Sequence, residues 1–276
     1  MAKSKKFYVA GDPIKHSQSP MIHNEFASQF EMSIEYLKIE VSKNDLRQFL
    51  SKSIANGISG INFTLPLKEE AYHLVDKHSR RAAFARAVNT IWVSGEDVCS
   101  DNTDGIGLVR DLEKNIGISL SNKRVLIAGA GGAARGILGP ILDQLPSLIT
   151  VTNRTRERSV SLSALAPKKN VQILDWGEEP QEPFDLILNC TSLSLSGREP
   201  NIKASSIHKD TVCYDLSYGR DLTSFEKWAF RVGATSVFNG LGMLVEQAAE
   251  AFYLWHGIFP DTEPVIDKLK RKNIPD

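Results

Sequence analysis

The sequence feature that most constrains the fold is an apolar strand that runs directly into a glycine-rich turn. Residues 125–128 are followed by Gly129, Gly131 and Ala134, which form a G-x-G-x-x-A pattern. The first glycine permits the tight turn, the second lets the backbone approach a pyrophosphate, and the alanine lets the helix pack closely on the strand. Free amides at the helix start also favour an anion. We therefore predict a dinucleotide-binding α/β unit; the alternative is a tight turn without a ligand.

The end of the next predicted strand bears on the choice of dinucleotide. An NAD site usually has an acidic residue there, which binds the ribose 2′-hydroxyl. Here Asn153 is followed by Arg154, Arg156 and Arg158. Guanidinium groups suit a 2′-phosphate, and cations at a helix start are unfavourable unless an anion is near. The pattern favours NADP over NAD.

Apolar runs alternate with helical periodicity along the whole chain. We predict strands at residues 7–11, 34–41, 58–64, 88–93, 98–100, 124–128, 148–152, 184–189 and 212–216. We predict helices at residues 44–55, 103–115, 131–142, 242–255 and 264–272. This alternation is typical of an α/β fold with right-handed crossovers. A domain boundary is expected near residues 104–105, and the two C-terminal helices could pack on either half.

Composition excludes several function classes. The 276 residues carry a formal net charge of zero, so we predict neither nucleic acid nor an anionic membrane as a partner. Three distant cysteines and six scattered histidines predict no disulfide framework and no metal site. No apolar run reaches the length of a membrane span, and residues 3–12 reach a turn too soon for a signal peptide. We expect a cytoplasmic protein with reduced thiols.

Two serines precede a predicted helix near the N-terminus. Ser19 suits the N-cap and Pro20 the first helical position. Capping does not require Ser17, and two hydroxyls beside a helix start could also hold a carboxylate. On chemistry alone, capping is favoured over binding.

Polar groups gather at the predicted ends of other elements. Asn62 and Thr64 lie two apart in a strand and so share a face. Lys68 follows Pro66 and is expected to open a helix, and Asp104 lies in a turn or at a helix N-cap. Taken alone, Lys68 is a surface lysine and Asp104 a cap, because sequence spacing does not bring them together.

Taken together, these segments resemble the shikimate dehydrogenase family. The similarity follows the chain in order at residues 11–20, 62–68, 87–90, 101–105, 129–134, 153–155 and 239–248. The set of motifs is highly specific, although no single motif is. The resemblance implies two α/β domains with a cleft between them. Residues 1–104 and 241–276 would form a substrate-binding and catalytic domain with a mixed, mainly parallel sheet, and residues 105–240 a Rossmann-type NADP domain.

The resemblance also implies roles for individual residues. Lys68 and Asp104 would be the catalytic pair and would contact the substrate. The implied substrate carboxylate ligands are Ser17, Ser19 and Tyr218, and the implied ligands of ring hydroxyls are Asn62, Thr64, Asn89, Asp104 and Gln247. The implied NADP ligands are Gly129, Ala130, Gly131, Gly132, Ala133, Asn153, Arg154, Thr155 and Arg158, with Leu216, Gly240 and Met243 near the nicotinamide.

The implied activity is the reversible reduction of 3-dehydroshikimate to shikimate with NADPH, in the pathway to chorismate and the aromatic amino acids. A metal-free monomer or homodimer is expected. One alternative is a quinate/shikimate dehydrogenase that uses NAD, against which the arginines after Asn153 argue. Another is a non-catalytic NADP-binding regulator, against which the presence of both Lys68 and Asp104 argues.

Overall fold

Two six-stranded sheets organise the computed structural model, which describes residues 5–167 and 169–272. The ends of the predicted domain ranges, residues 1–4 and 273–276, lie outside the described part. The strands of the first sheet are β1 (Lys5–Gly11), β2 (Ile34–Glu40), β3 (Gly60–Phe63), β4 (Lys77–His78), β5 (Thr90–Ser94) and β6 (Asp97–Asp101). Its helices are α1 (Ser19–Ser28), α2 (Leu46–Ala55), α3 (Lys68–Leu74) and α4 (Arg80–Ala85).

The first sheet is mixed, as predicted. Its strand order is β2-β1-β3-β5-β6-β4. Strand β1 pairs in parallel with β2 and β3, whereas β5 runs antiparallel to β3 and β6. The strands predicted at 88–93 and 98–100 are therefore present as β5 and β6, which form a hairpin. The carboxyl end of β6 leads directly to Asp104.

The second sheet is entirely parallel. Its strands are β7 (Arg124–Ala128), β8 (Leu148–Thr152), β9 (Val171–Ile173), β10 (Leu186–Asn189), β11 (Val212–Asp215) and β12 (Ser236–Asn239). Its helices are α5 (Asp104–Arg110), α6 (Gly132–Asp143), α7 (Arg156–Ser163) and α8 (Ser224–Arg231). The order β9-β8-β7-β10-β11-β12 is that of a Rossmann fold. The strand order reverses between β7 and β10, and ligands bind such sheets in the crevice at the carboxyl ends of these strands.

The C-terminal helices are α9 (Leu241–His256) and α10 (Glu263–Lys272). Both pack against α1 in one apolar cluster. Trp255 of α9 also donates through Nε1 to the Ile91 carbonyl of β5 at 3.0 Å. Near the start of α9, Met243 instead joins the core of the second sheet. Helix α9 therefore lies mainly on the first sheet while its first turn reaches the second.

Helix α5 is held closely between α6 and α9 by glycines. A Cβ on Gly105 would lie 2.5 Å from the Gly136 carbonyl oxygen of α6. A Cβ on Gly107 would lie 2.6 Å from the Gln247 amide nitrogen of α9. Both separations are too short for any side chain, so the three helices contact one another through backbone. This contact fixes the start of α5 between the two sheets.

Some predicted elements need correction. The helix predicted at 103–115 is α5 followed by a π-helical segment, Asp111–Ile116. Where the winding changes, the buried Asp111 carboxylate accepts hydrogen bonds from Tyr214 and Asn115. Strands β4, β9 and β12 and helices α4 and α8 were not predicted, because segments this short carry little periodicity. A signal for α8 does exist in the capping box formed by Thr223 and Glu226.

No helix within residues 5–167 and 169–272 combines the length and apolarity that crossing a bilayer requires.

Candidate active site

Lys68 and Asp104 are in direct contact. Lys68 Nζ donates to Asp104 Oδ2 at 2.6 Å. The two side chains are 15% and 5% exposed, so solvent screens this ion pair little. Lys68 opens α3 and Asp104 opens α5. A cation is unfavourable at a helix N-terminus whereas a carboxylate is favourable there, so Asp104 compensates the placement of Lys68.

Asn89 holds the second oxygen of the Asp104 carboxylate. Its Nδ2 donates to Asp104 Oδ1 at 2.9 Å, and its Oδ1 accepts from the Thr103 backbone amide at 2.9 Å. A backbone N–H can only donate, so the amide of Asn89 has one possible orientation. Gln247 Oε1 lies 3.3 Å from the same Nδ2 and so brings α9 to this cluster. Three predicted site residues from separate elements thus meet.

Asn62 joins this cluster from β3. Its Nδ2 donates to Thr90 Oγ1 at 2.9 Å, and Thr90 Oγ1 donates to Asn89 Oδ1 at 3.0 Å. Asn62 Oδ1 accepts from the Tyr36 hydroxyl at 2.6 Å. Strand β3 ends at Phe63, one residue earlier than predicted. Thr64 still extends the pairing, since its amide donates to Ala10 at 2.9 Å.

The two serines at the start of α1 differ from the predicted cap. Helix α1 begins at Ser19 itself, which makes no capping bond. Instead the Ser19 amide donates to Ser17 Oγ at 3.3 Å, and Ser17 Oγ donates to Ser19 Oγ at 3.1 Å. The capping explanation for Ser19 is therefore wrong, because the helix starts one residue earlier than predicted and Ser17 satisfies its first amide. The Ser19 hydroxyl is left for other partners.

Tyr218 meets these serines from the loop after β11. Burial raises the pKa of its phenol, and a hydrogen bond from the Gln18 backbone amide acts against that rise. Gln18 lies between Ser17 and Ser19 in the chain. The structure therefore brings all three predicted carboxylate ligands to one place.

The glycine-rich turn has the form that a pyrophosphate requires. Gly129 has φ +109°, and a Cβ there would lie 2.9 Å from the Cys190 carbonyl carbon. Gly131 is different, since a Cβ there would meet nothing within 4 Å. Protein packing therefore does not explain Gly131, whereas close approach of a ligand to the backbone does. Ala134 is fully buried in the core of the second sheet, as predicted. These residues fit a dinucleotide.

This turn also touches Lys68. A Cβ on Gly132 would lie 3.2 Å from Lys68 Cβ. Further along the same two helices, Arg135 Nε lies 3.6 Å from Glu69 Oε2. The lysine of the ion pair is thus in contact with the helix start that would hold phosphate.

The segment after β8 leaves two arginines available. Arg156 forms an ion pair with Asp175, and Asn153 Nδ2 donates to the Thr155 carbonyl at 2.8 Å. Arg154 and Arg158 are exposed and form no ion pair with any other residue within the described ranges. Two free guanidinium groups beside the end of β8 fit a 2′-phosphate.

Leu216, Gly240 and Met243 lie together beyond β11 and β12. The Leu216 amide donates to Asn189 at 3.0 Å. A Cβ on Gly240 would lie 2.2 Å from the Leu216 carbonyl oxygen. Met243 and Leu216 pack in the same cluster. These residues border the crevice at the carboxyl ends of β10 and β11.

The described residues contain no group of histidine, cysteine, aspartate or glutamate side chains that could hold a metal ion.

Sequence reasoning missed several residues of this site. Tyr36, Thr90 and Thr103 bond directly to predicted site residues, and Arg81 bonds to Asp101. The only available signal was position, since Thr90 and Thr103 stand beside Asn89 and Asp104. Tyr36 offered none, because it is separated from Asn62 by 26 residues and a helix.

The fold and the site define a Rossmann-type dinucleotide-binding protein with a buried ion pair above the phosphate turn. Three family models match successive parts of the chain. Residues 9–91 match the shikimate dehydrogenase substrate binding domain, residues 111–227 the shikimate / quinate 5-dehydrogenase model, and residues 240–270 the shikimate 5′-dehydrogenase C-terminal domain. The chain belongs to the shikimate dehydrogenase family, as its motifs predicted.

Individual relatives are similar over nearly the whole chain. A shikimate dehydrogenase (NADP(+)) from Marinobacter nauticus is 44% identical over 268 residues, which cover 96% of this chain and 98% of the relative. The crystal structure of an Ael1 enzyme from Pseudomonas putida is 39% identical, has a TM-score of 0.89 and covers 96% of this chain and 98% of its own. A shikimate dehydrogenase in complex with NADP+ is 32% identical, has a TM-score of 0.89 and covers 100% of this chain and 98% of its own.

Proposed function

We propose that this protein catalyses the reversible, NADPH-dependent reduction of 3-dehydroshikimate to shikimate. The observation that carries the proposal is the Lys68–Asp104 ion pair of 2.6 Å beside the glycine-rich turn. It combines a proton donor with a dinucleotide site in one crevice. The similarity to shikimate dehydrogenases (NADP(+)) over 96% of the chain supports the substrate and the cofactor.

NADPH, when bound, supplies hydride to the ketone carbon. The ketone oxygen then gains negative charge, which needs a proton or a cation. The Lys68 ammonium is the donor at this oxygen, and Asp104 orients it through Oδ2. In the reverse direction Lys68 takes the proton back from the alcohol. Asn89 holds the Asp104 carboxylate in place through Oδ1.

The substrate carboxylate would bind at the start of α1. Ser17, Ser19 and Tyr218 provide hydroxyl groups there. Hydroxyl donors can hold a carboxylate without a formal positive charge. The ring hydroxyls would bind the amides and hydroxyls of the central cluster, namely Asn62, Thr64, Asn89, Asp104 and Gln247.

NADP would lie along the carboxyl ends of the second sheet. Residues Gly129, Ala130, Gly131, Gly132 and Ala133 would hold the pyrophosphate, Asn153, Arg154, Thr155 and Arg158 the adenosine 2′-phosphate side, and Leu216, Gly240 and Met243 the nicotinamide. The exposed, unpaired guanidinium groups of Arg154 and Arg158 support NADP over NAD.

The packing of the helices supports the proposed domains. The substrate domain would comprise residues 1–104 and 241–276, of which the structure describes 5–104 and 241–272, because α9 and α10 pack on α1. Residues 105–240 form the NADP domain, to which Leu108 and Val109 of α5 contribute core. We place the protein in the cytoplasm as a monomer or homodimer, with no nucleic acid or membrane partner.

A second candidate is a quinate/shikimate dehydrogenase, since residues 111–227 match a family model that covers both activities. Steady-state assays with shikimate and quinate, each with NADP and NAD, separate the possibilities. We expect rapid reduction of NADP with shikimate and little reaction with the other three pairs. Comparable rates with quinate and NAD would favour the second candidate. The absence of turnover with every pair, in protein that binds NADP, would indicate a regulator instead.

A further inference from the structure

A continuous chain of hydrogen bonds joins Tyr36 of β2 to the Asp104 carboxylate. Each member donates to the next, in the order Tyr36, Asn62, Thr90, Asn89 and Asp104. The direction is set at one end, where the Thr103 amide makes Asn89 Oδ1 an acceptor. Thr90 must therefore donate its hydroxyl proton to Asn89 Oδ1. In its bond with Asn62, Thr90 Oγ1 is consequently the acceptor.

Asn62 has a single possible orientation in this chain. Its Nδ2 also donates to the Asn89 backbone carbonyl at 3.3 Å, and a carbonyl oxygen can only accept. Both Nδ2 protons are therefore used within the protein. Its Oδ1 receives the Tyr36 hydroxyl at 2.6 Å and keeps one lone pair. Asn62 is 7% exposed, so this acceptor is what it can offer to a ligand.

Tyr36 is rigidly held where it meets Asn62. It is 5% exposed, and the neutral ring of His23 stacks on it with centroids 4.6 Å apart. Burial raises the pKa of the Tyr36 phenol well above its usual value, so the phenol keeps its proton. The hydroxyl donates that proton to Asn62 Oδ1.

We propose that Tyr36 is a positioning residue that holds Asn62 Oδ1 in place as a hydrogen-bond acceptor, so that the site selects a ligand hydroxyl at this point. The inference rests on the proposed function, because that hydroxyl is one of the ring hydroxyls of shikimate. A ligand with only an acceptor there, such as a methyl ether, would face the oxygen of Asn62 and be rejected. Without the Tyr36 hydroxyl, Thr90 and the Asn89 carbonyl still orient the Asn62 amide, but Oδ1 loses the donor that holds its position, and selection weakens.

The test combines Tyr36→Phe with shikimate analogues that lack one ring hydroxyl each. The preference is the ratio of kcat/KM for shikimate to kcat/KM for the analogue. For one analogue this ratio should be about tenfold lower in Tyr36→Phe than in the wild type, the scale of one hydrogen bond. The loss should fall mainly on KM. Tyr8→Phe on the neighbouring strand is the matched control, because the Tyr8 hydroxyl bonds to no other residue in the described ranges and its ring packs on Phe49. A preference that is unchanged for every analogue would overturn the inference, since a purely structural role would alter only the amount of active protein.

A second measurement does not depend on activity. The side-chain amide protons of Asn62, identified as the signals absent in Asn62→Ala, should exchange slowly in the wild type. Loss of the Tyr36 bond to Oδ1 lets the amide rotate out of its two Nδ2 bonds more often, so Tyr36→Phe should speed this exchange about tenfold, the scale of one hydrogen bond, and Tyr8→Phe should not. Equal exchange in all three proteins would refute the role of Tyr36. If the wild type fails to oxidise shikimate, the proposed function fails, and this exchange measurement still decides the role of Tyr36.

Discussion

Arg81 forms a bidentate ion pair with Asp101, which lies three residues before Asp104. Arg81 Nε lies 3.1 Å from Asp101 Oδ1, and Nη2 lies 2.6 Å from Oδ2. The same Nη2 donates to Glu250 of α9 at 2.8 Å. The Asp101 carboxylate in turn accepts the Asn102 backbone amide at 2.6 Å. One side chain therefore ties the segment before Asp104 to the helix that carries Gln247.

Removing this arginine should destabilise the fold strongly. Arg81→Met leaves the carboxylates of Asp101 and Glu250 buried with less positive charge to balance them. Breaking a buried ion pair typically costs about 3–5 kcal/mol of folding free energy. Arg81→Lys should lose less, because it keeps the charge but not the bidentate geometry. Urea unfolding measures both. The control is Arg80→Met, an exposed residue of the same helix without an ion pair to any other described residue, which should leave the midpoint unchanged.

Two glycines of one turn should respond in opposite ways to alanine. Gly131 has φ −91°, and a Cβ there meets nothing within 4 Å. Gly131→Ala should therefore keep the stability of the wild type while weakening NADP binding. Gly129→Ala should destabilise the protein, because φ +109° and the Cys190 backbone both oppose a Cβ. Thermal unfolding without and with NADP separates the two effects. Equal NADP affinity in Gly131→Ala and wild type would argue against the pyrophosphate site.

Local signals in the sequence were sufficient for the Rossmann half of the fold. The G-x-G-x-x-A turn between β7 and α6 is a short-range pattern, and the structure matches it to within one residue. The Lys68–Asp104 contact was different. It depends on how α3 and α5 pack, and glycines such as Gly107 and Gly132 allow that packing through contacts across the fold. Such contacts have no periodicity to detect, so only family resemblance indicated them.

Tyr36 illustrates what neither pattern nor resemblance supplied. In the sequence it is an ordinary strand tyrosine. Its role depends on the pairing of β2 with one edge of β1 and of β3 with the other. The order of strands, not their sequence, brings its hydroxyl to Asn62. Long-range polar networks of this kind become visible only once the sheet is assembled.

Lys68 should be needed for turnover more than for binding. Lys68→Ala removes the proposed proton donor, so kcat should fall by about 10²–10⁴-fold, the usual scale of general acid–base catalysis. Shikimate and NADP affinity, measured by calorimetry, should change little. Lys77→Ala is the control, because that lysine forms an exposed ion pair with Asp97 and should leave kcat unaltered. An unchanged kcat in Lys68→Ala would exclude Lys68 as the donor.

Arg154 should distinguish the two nicotinamide cofactors. Arg154→Ala removes a free guanidinium beside the proposed 2′-phosphate, so the KM for NADP should rise about tenfold, the scale of one charge-assisted hydrogen bond, while the KM for NAD stays constant. Arg156→Ala is the matched control, since Arg156 is already paired with Asp175. It should change neither KM. Similar changes for NADP and NAD in Arg154→Ala would contradict the 2′-phosphate assignment.

His23 should make the fold sensitive to mild acid. Burial, and then the neighbouring charge of His256, lower the pKa of His23 to about 3 from a usual value of 6.5. Between these two pH values the unfolded chain binds a proton that the folded chain does not. Stability should therefore fall as the pH drops below about 6.5, with a slope of up to about 1.4 kcal/mol per pH unit from this residue.

The measurement is urea unfolding at a series of pH values from 7.5 to 5, compared between wild type and His23→Phe. Neither ring nitrogen of His23 has a hydrogen-bond partner among the described residues, so phenylalanine keeps the aromatic stack without removing such a bond. The variant should lose less stability on acidification than the wild type, because one proton uptake is gone. His73→Gln, at an exposed position, should retain the wild-type slope. Parallel stability curves for His23→Phe and wild type would show that His23 is not the group responsible.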